Sequence, residues 1–144
     1  MTEPINTISE IAGAYHKEGY NCCQAVVKAT AIPEHADLLV QIASSFGGGI
    51  GGQRQTCGTV TGIAIVLGDY YGYNTPETGE IKKEHTELIA SACTEFKKIA
   101  GSLVCGELLC LPGFTKTPVE QKLTCNELVK LAAGIVDKYK NMTN

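Results

Sequence analysis

The chain has no tryptophan and only three phenylalanines, and its twelve basic side chains are scattered among fifteen acidic ones. Nucleic-acid binding normally calls for a basic stripe and, for single strands, an aromatic stacking platform. With neither present and a net charge of −3, nucleic acid is not an expected partner. No two cysteines stand in a C-x-x-C pair, the short spacing that structural zinc sites use, and C-x-x-C-H, the attachment signature of c-type haem, is missing with it. The longest strongly apolar run, Ile63 to Leu67, is far short of the ~20 residues that span a bilayer, so no membrane insertion is expected. Met1-Thr2-Glu3-Pro4 has neither the basic start nor the apolar stretch of a secretory signal. The expected compartment is therefore a reducing cytoplasm, where structural disulfides do not persist. No serine–histidine–acid order and no paired-carboxylate motif supports hydrolytic chemistry.

What is present reads as helix. A chain of 144 residues is one ordinary domain, able to bury roughly two thirds of its unfolded surface without disulfides. No linker, repeat or low-complexity tract divides it, so residues 1–144 are read as a single unit. Thr7 and Glu10 make a capping box, and Ile8, Ile11, Ala12 and Tyr15 share one face up to Gly19, which predicts a helix over 7–18. Asn21 with Gln24 starts a second over 22–31, closed by Pro33. Leu38, Leu39, Ile42 and Phe46 continue helical spacing from Pro33 to Gly47, a third. Five glycines among residues 47–52 then enforce a loop. It lacks the lysine of a phosphate-binding G-x-x-x-x-G-K-[ST] loop and no strand precedes it, so its expected role is a close-packed turn that places Cys57. Ile63 to Leu67 are apolar all round, and Gly58 and Gly62, four apart, favour a buried central helix packed closely on its neighbours. Ile81, His85, Leu88, Ile89, Ala92, Cys93, Phe96 and Ile99 trace the face of a long amphipathic helix. A short turn from Ser102 carries Cys105, Leu108, Leu109 and Cys110. The last helix has two candidate starts, Thr117-Pro118-Val119-Glu120 and the capping box Thr124-Cys125-Asn126-Glu127. The expected fold is all-α, about six helices in one compact domain.

The seven cysteines do not have equal prospects. Cys93 lies on the apolar face between Ile89 and Phe96 and is read as a small core hydrophobe. Cys110 could pair with Cys105, but lying between Leu109 and Leu111 it is read first as packing and held in reserve. Cys23 adjoins Cys22, and helical neighbours point about 100 degrees apart, so Cys22, at the first helical position, is the better candidate. Cys22, Cys57, Cys105 and Cys125 each follow an Asn, Thr or Ser able to cap a helix. A helix amino end favours negative charge and hence the thiolate that binds metals and attacks disulfides. Four such residues together match the four thiolates that typically hold an iron–sulfur cluster. Arg54 and Gln55 are adjacent candidates for donating hydrogen bonds to a cluster or anion. His16, His35 and His85 sit on ordinary helices, where surface or core placement is the expected role, with His85 the one that could reach a site.

Tyr20-Asn21-Cys22 with Gln24-Ala25-Val26, the glycine loop leading to Cys57-Gly58-Thr59-Val60-Thr61-Gly62, Gly101-Ser102-Leu103-Val104-Cys105 with Glu107-Leu108, and Cys125 with Val129 and Ala132-Ala133 together resemble the C_GCAxxG_C_C family of redox-active proteins. The resemblance covers nearly the whole chain. It implies a role for the same four residues, Cys22, Cys57, Cys105 and Cys125. Similarity to the cluster-carrying part of split-Soret cytochromes implies in addition an iron–sulfur centre, a two-iron centre being one form; independently of that resemblance, such a cluster can be absent from air-exposed protein. The haem-binding part of those proteins has no counterpart here.

Three functions remain open from the sequence. One is a cluster-binding redox protein for electron transfer or sensing with a redox partner protein, its metal held by Cys22, Cys57, Cys105 and Cys125. The second is a metal-free thiol–disulfide oxidoreductase in which Cys57 is the catalytic nucleophile. The third is a helical interaction module, a homodimer being one arrangement, whose cysteines are incidental.

Overall fold

The computed structural model describes residues 7–77, 79–114 and 122–142. They form seven α-helices: α1 (Thr7–Glu18), α2 (Cys22–Thr30), α3 (Ala36–Ala43), α4 (Gly58–Tyr71), α5 (Glu80–Ala100), α6 (Cys105–Leu108) and α7 (Cys125–Lys140). Among the described residues there is no strand, and Thr56 and Val104 make a single antiparallel bridge. No helix among them is long and apolar enough to cross a membrane. The all-α expectation holds, with the short turn at Cys105 forming a helix of its own.

The core forms around α4, whose residues Val60, Ile63, Val66 and Leu67 are buried. Across from it α2 contributes Ala25, Val26 and Val27, α7 contributes Leu128, Val129, Ala132, Ala133 and Val136, and α5 closes one side with Ala92, Phe96 and Ala100. Burial of this apolar surface is the main force holding the helices together, at roughly 25 cal/mol per Å² removed from water. The absence of a Cβ at Gly58 and Gly62 brings α4 onto α2: one added at Gly62 would stand 3.1 Å from Val26 Cβ. Helix α1 lies against α7, where Ser9 Oγ donates to Lys130 O at 2.9 Å and Asn126 Nδ2 donates to Gly13 O at 3.1 Å.

Two boundaries differ from expectation. The predicted third helix over 33–46 is α3 flanked by single 3-10 turns at Pro33–His35 and Ser44–Phe46. At the first, His35 N donates to Ile32 O at 2.9 Å, closing a three-residue turn, and at the second Ser44 Oγ donates to Gln41 O at 2.6 Å, competing for the carbonyls of the last turn. The last helix begins at Cys125, with residues 122–124 not helical. The earlier start at Thr117–Glu120 lies outside the described residues.

The glycine loop is a left-handed turn. Gly48, Gly49, Ile50, Gly51 and Gly52 all have positive φ, a region open to glycine and costly for residues with a Cβ. Backbone bonds lock it, with Gly51 N donating to Ser45 O, Arg54 N to Gly48 O and Gln55 N to Gly49 O at 2.9 to 3.1 Å. Ile50, at φ 65 and 43% exposed, is a β-branched residue held in that region. Replacing Ile50 by glycine should relieve ~1–2 kcal/mol of strain against ~0.5–1 kcal/mol of added chain entropy. The expected result is a raised denaturation midpoint, corresponding to a gain of up to about 1.5 kcal/mol in stability; a lower midpoint would show that the exposed isoleucine makes contacts worth more than the strain.

Candidate redox site

Each of the four selected cysteines stands at a helix start. Cys22 is the first residue of α2, and Asn21 closes a capping box with Gln24 through bonds of 2.8 and 3.1 Å. Asn21 Nδ2 also donates to Ser44 O at 3.2 Å, tying this start to the end of α3. Cys125 opens α7 behind the capping box of Thr124 and Glu127, at 3.1 and 2.8 Å. Both boxes are as the sequence predicts.

The other two starts are built differently. Thr56 does not cap α4; Cys57 is itself the cap residue, and Thr56 is bridged to Val104. Ser102 does not cap α6 either, since Val104 takes that position. Ser102 Oγ instead accepts from Val104 N at 3.0 Å and donates to Glu107 Oε1 at 2.6 Å, bracing the turn. Backbone bonds then join the two segments: Cys57 N donates to Leu103 O at 2.8 Å, Cys105 N to Gln55 O at 2.6 Å and Gly106 N to Arg54 O at 2.9 Å. This peptide clasp sets Cys57 beside Cys105.

Cys22, Cys57, Cys105 and Cys125 line one cavity of about 200 Å³, together with His16, Asn21, Gly48, Arg54, Thr59 and three leucines, Leu108, Leu109 and Leu128. No carboxylate is among these lining residues. Cys57 and Cys105 are 5% and 8% exposed, Cys22 is half-buried, and Cys125 is exposed, so the cavity meets solvent at the Cys125 edge. Gly58 makes room for Cys22: a Cβ there would lie 2.5 Å from Cys22 Sγ and 2.9 Å from Phe46 O. Among the described residues no three His, Cys, Asp or Glu side chains converge on a single-ion position.

Burial, not the helix start, governs the acidity of the inner thiols. It pushes Cys57 up to about 11, against a hydrogen bond shared with Thr59 Oγ1 at 3.1 Å. It also raises Cys22, opposed by the backbone N–H of Gly48 and reinforced by the nearby Cys125 and Cys105. The expectation that a helix amino end alone makes thiolates of these residues is therefore corrected at Cys22 and Cys57: desolvation of the charged form outweighs the favourable dipole. At Cys105 the positive partner is a side chain, with Arg54 Nη1 donating to Sγ at 3.7 Å.

The remaining candidates separate cleanly. Cys23 is fully buried in the core, with Thr61 Oγ1 at 3.6 Å, and burial pushes its thiol up to about 12. Cys93 is half-buried at the edge of the core, and Cys110 occupies a turn at φ 57 and is not among the cavity's lining residues. Gln55, read as a donor beside the site, turns Nε2 to Gln53 O at 3.5 Å and is exposed. His35 pairs with Asp69 at 2.6 Å, and His85 packs edge-on against Tyr73.

His16 is the lining residue that the sequence does not reveal. Asn126 Nδ2 lies 3.1 Å from its Nδ1, and as that amide nitrogen donates, the ring proton belongs on Nε2. Burial lowers its pKa. The one available signal was that Asn126 follows Cys125, and it acquires meaning only when α1 is docked on α7.

A family model described as "Putative redox-active protein (C_GCAxxG_C_C)" matches residues 20–139, which include all four cavity cysteines. The chain belongs to the C_GCAxxG_C_C family. No curated protein and no solved structure matches it. In this C_GCAxxG_C_C protein His16 lies outside the matched residues, on the helix that precedes them.

The inner thiols of this C_GCAxxG_C_C protein also set a pH response. In the metal-free chain, native-state alkylation by iodoacetamide near neutral pH should be fastest at exposed Cys125 and slow at Cys23 and Cys57. The Cys57 rate should climb with pH up to about 11. Folding raises the values of Cys23 and Cys57 above 9.0. The stability contributed by keeping these thiols neutral is accordingly complete below that pH and lost as pH rises through the folded-state values. Equal alkylation of all four cavity thiols at neutral pH would contradict this.

Proposed function

We propose that Cys22, Cys57, Cys105 and Cys125 hold an iron–sulfur cluster used for electron transfer or redox sensing with a partner protein in the cytoplasm. The observation that carries this reading is that four thiols from four separate helix starts line one cavity, with no carboxylate among its described lining residues. The cysteines lack the short C-x-x-C spacing that structural zinc sites use. The residues present fit such a group: four sulfur donors, a guanidinium on Cys105 and a backbone N–H on Cys22 to offset negative charge. When bound, the cluster would supply one-electron chemistry. Leu108, Leu109 and Leu128 keep water from the inner side, while Cys125 forms the solvent edge at which a partner would exchange an electron. The two-iron form follows from the resemblance to split-Soret cytochromes.

Thiol–disulfide exchange through Cys57 is the weaker reading, because burial leaves that thiol protonated at neutral pH. A helical interaction module leaves the convergence of the four thiols unexplained. Anaerobic purification followed by iron and acid-labile sulfide analysis is the test. The expected result is a brown protein with iron and sulfide in equal amounts, whose reduced-state EPR spectrum reports the nuclearity. Colourless protein that stays metal-free after anaerobic reconstitution would reject the reading; a reversible disulfide between two of the four thiols in such protein would favour exchange.

A further inference from the structure

The geometry points to Arg54 as the charge-compensating residue of the cavity, one that holds an anionic occupant and favours its more negative, reduced state. This inference rests on the cluster reading. Arg54 is the chain's one arginine, and it is kept in an unfavourable backbone conformation, φ 63, by bonds from its N–H to Gly48 O and from Gly106 N to its carbonyl, both 2.9 Å. That backbone sends the side chain into the cavity wall. Nη1 lies 3.7 Å from Cys105 Sγ, and a Cβ on Gly48 would stand 3.8 Å from the same nitrogen.

Among the described residues the ion pairs are His35 with Asp69, Lys130 with Glu10 and Lys138 with Glu95, none of which involves Arg54. A half-buried guanidinium with no carboxylate partner among the described residues, in a cavity with no carboxylate among its described lining, is left with Cys105 Sγ as its side-chain partner, which offsets the cost of desolvating a full positive charge only in part. A negative occupant offsets it. The planar, weakly hydrated guanidinium suits this role better than an ammonium, since it can donate to a thiolate and to the occupant at once. One-electron reduction by an external reductant adds one negative charge next to Arg54, with no bond or proton change required, so the positive charge favours the reduced form over the oxidised one.

The test uses the full chain as wild type, Arg54→Asn and Arg54→Lys, each reconstituted anaerobically with ferrous iron and sulfide and titrated with dithionite in the presence of mediators. Asparagine tolerates positive φ better than most residues, so Arg54→Asn removes the charge with little backbone penalty; far-UV circular dichroism checks the fold. The expected result is normal iron and sulfide in all three, with the equilibrium of Arg54→Asn displaced about tenfold towards the oxidised form, which is about 59 mV for one electron. Arg54→Lys should fall between the other two. Failure of Arg54→Asn to load, with Arg54→Lys loading, would support the same assignment as loss of anion retention. Loaded Arg54→Asn at the wild-type potential would overturn the inference and leave the cluster reading standing. Failure of both folded variants to load would overturn it too, assigning the side chain a shape role unrelated to charge. A wild-type chain that takes up no iron and sulfide would overturn the cluster reading and this inference together.

Discussion

Replacing Cys57 by serine is expected to abolish iron and sulfide loading while leaving the helices in place. Cys57 is the most buried of the four cavity thiols, so no solvent-derived ligand can easily substitute for it. The loss should exceed the about 10–100-fold drop that changes outside the ligand shell cause. The fold should survive because Cys57 is also the cap residue of α4 and makes no capping bond there. Serine is among the preferred residues at that position, a gain of ~1 kcal/mol that opposes the cost of a buried hydroxyl. The hydroxyl also keeps Thr59 Oγ1 as a neighbour. Metal analysis alongside a urea titration separates the two effects: stability within about 1 kcal/mol of wild type with no cluster is the expected pair of results. Wild-type iron and sulfide in the serine variant would remove Cys57 from the ligand set. At exposed Cys125 the same substitution should be milder, since water reaches that edge.

Replacing Gly58 by alanine should lower both stability and loading, and a second glycine of the same helix supplies the control. In an ordinary helix interior, glycine to alanine gains ~0.5–1 kcal/mol. Gly68 has open space around its missing side chain, so Gly68→Ala should show that gain. At Gly58 the new methyl would meet Cys22 Sγ at 2.5 Å, Phe46 O at 2.9 Å and Cys23 N at 3.2 Å. Two of these are backbone atoms that cannot rotate away, and overpacking of this kind costs ~1–3 kcal/mol. The clash therefore wins, for a net loss of about 1–2 kcal/mol by urea denaturation. Cys22 Sγ is the atom freest to move, and its displacement from the cavity should reduce iron uptake as well. Opposite signs at Gly58 and Gly68 are the decisive outcome; a stabilised, fully loading Gly58→Ala would mean that α4 and α2 do not approach this closely.

The features legible in the sequence are the ones that local chemistry decides. The boxes at Asn21–Gln24 and Thr124–Glu127 are four-residue patterns, and they place Cys22 and Cys125 at their helix starts. The apolar stripe of α5 and the glycine pair of α4 are equally local. What the sequence hides depends on partners far along the chain. Thr56 looks like a cap, yet its backbone is spoken for by Val104. His16 looks like an ordinary last-turn histidine until α1 packs against α7 and Asn126 comes within 3.1 Å. The thiol acidities could not be read from position either, because the helix start is a local property and burial is a property of the whole fold.

The clasp between residues 54–57 and 103–106 is held mainly by peptide groups, with the Arg54–Cys105 contact its one side-chain link among the described bonds. A disulfide would join two distant cysteines just as firmly, but an oxidant or reductant could make or cut it, and it would consume the very sulfurs it joined. Peptide hydrogen bonds are blind to oxidation state. The backbone spacing of Cys57 and Cys105 is therefore expected to be the same whether their sulfurs are free or metal-bound, so that a site emptied of a cluster would be ready to take one up again.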